Sequence, residues 1–282
     1  MKELIKYIRN TASLSQAQFA AVLGTTPLSV NRWENGKTVP NNMAQKQLYE
    51  FCANRNINIV DKIIKDKARA DNNGSLILYH GSKHGIEGKI SPISREECDF
   101  GKGFYMGEIP LQPLSLVCSE ENPVFYTLQV NLNGLKVLNI NVDIDWAMVI
   151  AYNRKEMESA QGTSIYDKYS NYLKGYDVVN GYIADDRMYT ELSRFFTGNL
   201  TDLALIKCLS ALDLGKQYVA LTEKACSQIE IIEEKPLCLL ERMALSDYSV
   251  KRRKQGISLA ADAEYQYRRE GRFFDEILKE GL

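Results

Sequence analysis

Leu4, Ile5 and Ile8 recur at the three- and four-residue spacing of one helical face, which predicts an amphipathic helix over Lys2 to Thr11. Ser15 followed three residues later by Gln18 has the form of a capping box and opens the apolar run Phe19 to Leu23, which Gly24 closes. Thr26 can cap a third helix with Pro27 in its first position, where the missing N–H costs nothing, and Asn35-Gly36 supplies the stop. Further helices are expected over Asn42 to Phe51 and Ile57 to Ile64. The polar stretch Lys65 to Gly74 then ends in a turn signal, and the pattern changes to short runs rich in Val, Ile, Tyr and Phe. Strands are expected over Leu76 to Tyr79, Gly103 to Met106, Val124 to Leu132, Leu135 to Ile140, Val178 to Ala184, Gln217 to Thr222 and Ile229 to Glu233. Helices are expected between them over Ile144 to Tyr152, Met188 to Phe196 and Leu200 to Leu212, so this part reads as α+β. A polar, helix-prone tail closes the chain, with Phe273, Phe274, Ile277 and Leu278 forming an apolar face after a break at Gly271. The divisions are an all-α bundle at 1–66, a linker at 67–74, the α+β domain at 75–236 and the tail at 237–282.

With 282 residues, 45% of them hydrophobic and 25% charged, the chain has room for two cores and lies in the globular range. Its apolar runs are a few residues long, against the roughly 20 that a membrane span needs, and no signal peptide is read at the start; a cytoplasmic protein is expected. The six cysteines stand too far apart for a C-x-x-C pair, and His80 and His84 lack an intervening glutamate and a helix to present them, so no metal site is expected. Charge is unevenly divided. Residues 1–57 carry seven basic against three acidic side chains, a balance of +4 in a chain whose net charge is −1, so only the front end is suited to a polyanion.

Two short helices joined at Gly24, the second followed by Lys37, form the arrangement that sets a recognition helix in the major groove. The run from Leu14-Ser15-Gln16-Ala17-Gln18-Phe19-Ala20 to Arg32-Trp33-Glu34-Asn35-Gly36-Lys37 closely resembles the phage-repressor and Cro-type (XRE-like) helix-turn-helix family. That resemblance implies DNA as a partner, with Gln16 and Lys37 on phosphates and Leu28 and Arg32 facing base edges, and a homodimer where an operator is palindromic. Val30 and Trp33 read as core. The alternative use of such a bundle is packing against another protein.

In the second domain, Leu78-Tyr79-His80-Gly81-Ser82 followed by Asp99-Phe100-Gly101-Lys102-Gly103-Phe104-Tyr105 resembles the first two signature segments of poly(ADP-ribose) polymerases and diphtheria-toxin-like ADP-ribosyltransferases, in a bacterial branch filed as a domain of unknown function. The resemblance implies an ADP-ribosyltransferase-like α+β fold and NAD as substrate, with no metal. His80 and Tyr105 match the first two catalytic positions, and Gly215-Lys216-Gln217-Tyr218-Val219-Ala220-Leu221 resembles the late strand that a catalytic Glu opens, which puts Gln217 in that place. Glu223 is the rival for the third position.

The residue types suit the implied chemistry. An imidazole anchors ribose hydroxyls, an aromatic face holds a cationic nicotinamide, and Gly81 and Ser82 offer backbone and hydroxyl contacts to the carboxamide. Gln keeps an acceptor for the ribose 2′-hydroxyl but lacks charge, which argues for single ADP-ribose transfer over chain elongation. The expectation is thus a bacterial mono-ADP-ribosyltransferase that a helix-turn-helix targets or autoregulates, of the toxin–antitoxin or phage-defence kind, acting on a protein or nucleic-acid acceptor and with an antitoxin as a candidate partner. The alternatives are an NAD- or ADP-ribose-sensing transcriptional regulator with a non-catalytic domain, and an NAD glycohydrolase. Asp185-Asp186-Arg187 is a candidate groove lining, and Lys251 to Lys254 reads as a solvated basic face.

Overall fold

The computed structural model describes residues 1–70, 75–184 and 188–280. Five helices open the chain: α1 (Lys2–Thr11), α2 (Gln16–Val22), α3 (Pro27–Glu34), α4 (Asn42–Asn54) and α5 (Val60–Lys67). Their ends follow the local chemistry. The Ser15 hydroxyl accepts from Gln18 N while the Gln18 side chain accepts from Ser15 N, and Thr26 caps α3 above Pro27. Gly24 adopts a left-handed φ of +61° in the turn between α2 and α3, a conformation that a side chain at this position would strain.

The second half contains β1 (Leu76–Ser82), β2 (Phe104–Gly107), α6 (Leu111–Val117), β3 (Val124–Val130), β4 (Val137–Ile140), α7 (Ile144–Asn153), α8 (Ser164–Ser170) and β5 (Val178–Tyr182). It continues with α9 (Met188–Phe196), α10 (Asp202–Leu209), β6 (Lys216–Ala220), α11 (Glu223–Cys226), β7 (Ile229–Pro236), α12 (Leu239–Tyr267) and α13 (Phe274–Glu280). The seven strands form one mixed sheet in the order β4-β5-β6-β2-β1-β3-β7, in which only β4 and β5 run parallel. The expected α+β class and all seven strands are thus present. Helices α6, α8 and the short α11 stand where none was expected, and the tail is mostly one 29-residue helix, α12.

Strand alternation divides the core. On one face Leu78, Phe104, Met106, Tyr126 and Leu128 pack under Ile86, Ile90 and α11. On the other, the β2-β6-β5 half packs Val219 and Val179 against Phe100 and α7, and Phe274 and Ile277 of α13 join the same core, which places the apolar tail face.

The β1–β3 half of that second face is covered by the N-terminal bundle itself. Ile77, Tyr79 and Phe125 share one buried cluster with Leu4, Ile5, Ile8, Phe19, Val30, Trp33, Leu48 and Ile63, completed by Leu111 and Leu114 of α6 and Leu240, Ala244 and Leu245 of α12. Polar contacts fix the seam. Lys67 Nζ lies 3.1 Å from Glu241 and 5.4 Å from the Phe125 ring centroid, both charges largely buried. Gln45 accepts from Leu240 N at 3.1 Å and donates to Pro40 O, Tyr49 bonds Asp247, and Tyr79 OH accepts from Arg69 N at 2.7 Å. The segment between the two parts therefore leaves them in contact through a common core; residues 71–74 of the expected linker lie outside the described ones.

Candidate functional site

Two surfaces carry the residues singled out from the sequence. On the bundle, Leu28 and Arg32 stand four apart on α3, so both lie on its outer face, and both are exposed, as is Lys37 just beyond the helix. Val30 and Trp33 point inward and are buried, as expected. Gln16 departs from its expected role. Its amide donates to Glu34 at 2.6 Å and accepts from Asn31 at 3.3 Å, and Glu34, 2% exposed, is also held by Arg9 at 2.6 Å. Burial alone would raise the Glu34 carboxyl, but hydrogen bonds from Arg9 and Gln16, aided by the Arg9 charge, hold it below the ordinary range. Gln16 is thereby committed to the interior network and contacts a phosphate only by giving up Glu34.

In the second domain the sheet nearly divides between β1 and β2. The ladder contains the pair Tyr79–Gly107; the same register would set Gly81 against Tyr105, but there the Tyr105 carbonyl accepts instead from His80 Nδ1 at 2.8 Å. A carbonyl only accepts, so Nδ1 carries the proton and Nε2 is the acceptor nitrogen, without a hydrogen bond among the described residues. The ring stacks on Phe104, centroids 4.4 Å apart. Burial pushes the His80 pKa down and outweighs the carbonyl's opposing effect, so the imidazole is neutral at pH 7.

Tyr105 and Gln217 lie on the opposite face from the His80 ring, since Tyr105 pairs with Val219 and Gln217 with Gly107. Both close on the loop that contains the Asp99 to Gly103 signature. The Tyr105 hydroxyl donates to Gly101 O at 2.7 Å and accepts from Phe100 N at 3.0 Å; burial, helped by the Asp99 charge, pushes its pKa far up. Gln217 Nε2 donates to Asp99 Oδ2 at 2.6 Å, while Asp99 Oδ1 pairs with Arg154 at 2.5 Å, and Arg154 also reaches the Tyr189 hydroxyl at 3.2 Å. Because a carboxylate cannot donate, the Gln217 amide is fixed with its NH2 on Asp99 and its oxygen turned away as an acceptor. His80 and Gln217 thus each present one acceptor, but from opposite faces of the strands. Asp99 stands within the signature segment but nothing local gave it a role, and Arg154 and Tyr189 had no local signal: Asp99 and Gln217 are 118 positions apart.

Gly81 and Gly107 are roofed by α6. A Cβ on Gly81 would sit 2.7 Å from Pro113 O and 3.0 Å from Val117 Cγ1, and one on Gly107 would meet Gln112 Oε1 at 2.4 Å. Their shared need for hydrogen is close approach of a helix. Gln112 is a further residue of the site that the sequence did not announce; its Nε2 donates to Leu214 O at 2.5 Å and Lys216 O at 3.1 Å, so it bridges α6 to the start of β6. Ser82 Oγ donates to Gly85 O at 2.7 Å and is spent on that turn. Glu223 lies past the far end of β6 on α11, exposed and paired with Lys89 at 2.9 Å, a hydrogen bond that lowers its pKa; it does not share the surroundings of Gln217. Asp185-Asp186-Arg187 lie outside the described residues. Among the described residues there is no group of side chains suited to a metal ion, and no helix long and apolar enough to cross a membrane.

A helical bundle with an outward recognition-type helix, joined to a split mixed sheet, defines a helix-turn-helix protein with an α+β partner domain. Residues 5–44 match the helix-turn-helix family, which supports DNA binding through the bundle. Residues 76–231, more than half of the chain, match the family described as "Protein of unknown function (DUF3990)", and the chain belongs to that family. No curated protein and no solved structure matches it.

Proposed function

We propose that the protein is an NAD-dependent mono-ADP-ribosyltransferase carried by a DNA-binding helix-turn-helix. The observation that carries this reading is the opening between β1 and β2, where the β-ladder is replaced by the His80–Tyr105 bond and Gln217 faces Gly107 across the neighbouring pair. Neutral His80, with Nε2 as acceptor, suits a ribose hydroxyl. Gln217 Oε1, oriented by Asp99 on the other face of the strands, suits the 2′-hydroxyl of a substrate threaded through the opening from one face to the other. Cleavage of the C–N bond to nicotinamide leaves positive character on the ribose, which the acceptor nucleophile quenches; without a carboxylate at position 217 the site favours one transfer per acceptor.

A second reading is favoured by the same clamp. The Gln217–Asp99–Arg154 network is already satisfied and the bundle shares its core with the sheet, which suits a regulator that senses NAD and answers through DNA affinity. Incubation of the full chain with adenylate-labelled NAD and a bacterial lysate, beside His80→Ala and Gln217→Ala, separates the two. Label on a macromolecule that both variants lose establishes the transferase. Free ADP-ribose as the sole product marks a glycohydrolase. No label and no nicotinamide release, with NAD altering operator affinity, establishes the regulator.

A further inference from the structure

On the far side of α6 from Gly81 lies a groove walled by Ile109, Leu111, Leu116, Ile183, Leu212 and Leu214 and closed along one edge by Ser249, Arg252 and Arg253 of α12. It encloses about 180 Å³ and opens to solvent on one side. Its lining is mostly apolar, and the polar groups converge on one edge, the distribution of a small-molecule site. Arg252 is the distinctive member. Its guanidinium donates to the Tyr248 hydroxyl at 3.2 Å and to Asp213 O, both neutral acceptors, while Nε is buried without a partner. Among the described residues no carboxylate neutralises it. Nε is shielded from solvent, but Nη1 and Nη2 each keep a second N–H, and a half-buried guanidinium with two spare donors at the edge of an apolar wall suits an anion.

We propose that this groove binds a small amphipathic anion, its apolar body on Leu116, Leu212 and Leu214 and its single phosphate or carboxylate on Arg252. The site is separate from the opening between β1 and β2, and the proposal stands whether or not the domain transfers ADP-ribose. It touches both neighbours of interest. Its α6 wall roofs Gly81 and Gly107 on the other side, and its α12 wall continues to Leu240, Ala244 and Leu245 in the core shared with the DNA-binding bundle.

The test is calorimetric titration of the full chain with adenosine 5′-monophosphate and, separately, with decanoate, which offer a planar phosphorylated body and an aliphatic carboxylated one. Saturable one-site binding of either probe is expected, and which of them binds identifies the body the groove accepts. Arg252→Gln should weaken it by at least about tenfold, the scale of one lost charge-assisted hydrogen bond. Leu116→Glu, a change at a side chain 75% exposed, sets a like charge at the mouth without disturbing the core and should abolish binding even if the arginine variant folds poorly. No binding of either probe at millimolar concentration, or binding that Leu116→Glu leaves intact, overturns the proposal.

Discussion

The outer face of α3 and the opening between β1 and β2 are both built from residues that invite a ligand, yet they are prepared in opposite ways. The side chains of Arg32 and Lys37 stand in solvent with no hydrogen bond or ion pair among the described residues, ready for a phosphate or a base edge. In the second site each group has been given an internal partner: Gln217 has Asp99, Tyr105 has Gly101, Gly81 has α6 and Ser82 has Gly85. An interface that meets a large, rigid polyanion needs no rearrangement, whereas a site that encloses its ligand can be held closed by its own side chains. The difference predicts fast, salt-sensitive association at the bundle and slower, rearrangement-limited binding at the sheet.

The largest expected effect tests the closed roof. Gly81→Val drives a branched side chain into Pro113 O and Val117 and should cost about 3 kcal/mol in urea unfolding; a near-neutral result would mean that α6 is loosely held. Next, Lys67→Ala removes the counter-charge of the half-buried Glu241 carboxylate at the seam and leaves it the Cys238 N–H. About 2–4 kcal/mol is expected, with bundle and sheet still melting in one calorimetric transition. Two separated transitions would show that the shared core does not couple them.

Arg32→Ala and Lys37→Ala should each weaken binding to non-specific duplex by roughly tenfold at low salt and flatten the salt slope by about one unit, with stability unchanged within about 0.5 kcal/mol. An equal effect from Gln16→Ala on DNA alone would break its assignment to the Glu34 network. The smallest effect is in pH. The His80 pKa is depressed in the fold, so the protonated form is favoured by unfolding; its contribution to stability is full above the ordinary histidine value of about 6.5 and is lost as the pH falls below it. His80→Gln should remove that part of the slope, read from urea midpoints between pH 7 and 5.

The strands were legible because each is a dense run of β-branched and aromatic residues, as in Val124–Val130 or Val178–Tyr182, helix α1 because of the Leu4, Ile5 and Ile8 spacing, and α2 and α3 because Ser15, Thr26 and Pro27 mark their starts. Helix α6 was not, since Pro110 and Pro113 bracket Leu111 and read as a loop, although proline in a first turn costs little. The length of α12 was hidden by Gly256 in its middle and by burial that passes from Leu240, Ala244 and Leu245 to Gly256 and Ala260 without a continuous stripe. For the site, His80, Tyr105 and Gln217 were visible as types in order. Their partners were not, because Asp99, Arg154 and Gln112 reach them through tertiary contacts that leave no local periodicity.

The 29 residues of α12 make a rod of about 43 Å, one end of it bedded among the DNA-binding helices. A protein that grips a duplex through such a rod cannot swing its second domain freely about the grip. Everything that domain holds is carried at a set azimuth and reach from the bound base pairs, so that the face of the duplex on which the second domain works is chosen by where the recognition helix docks.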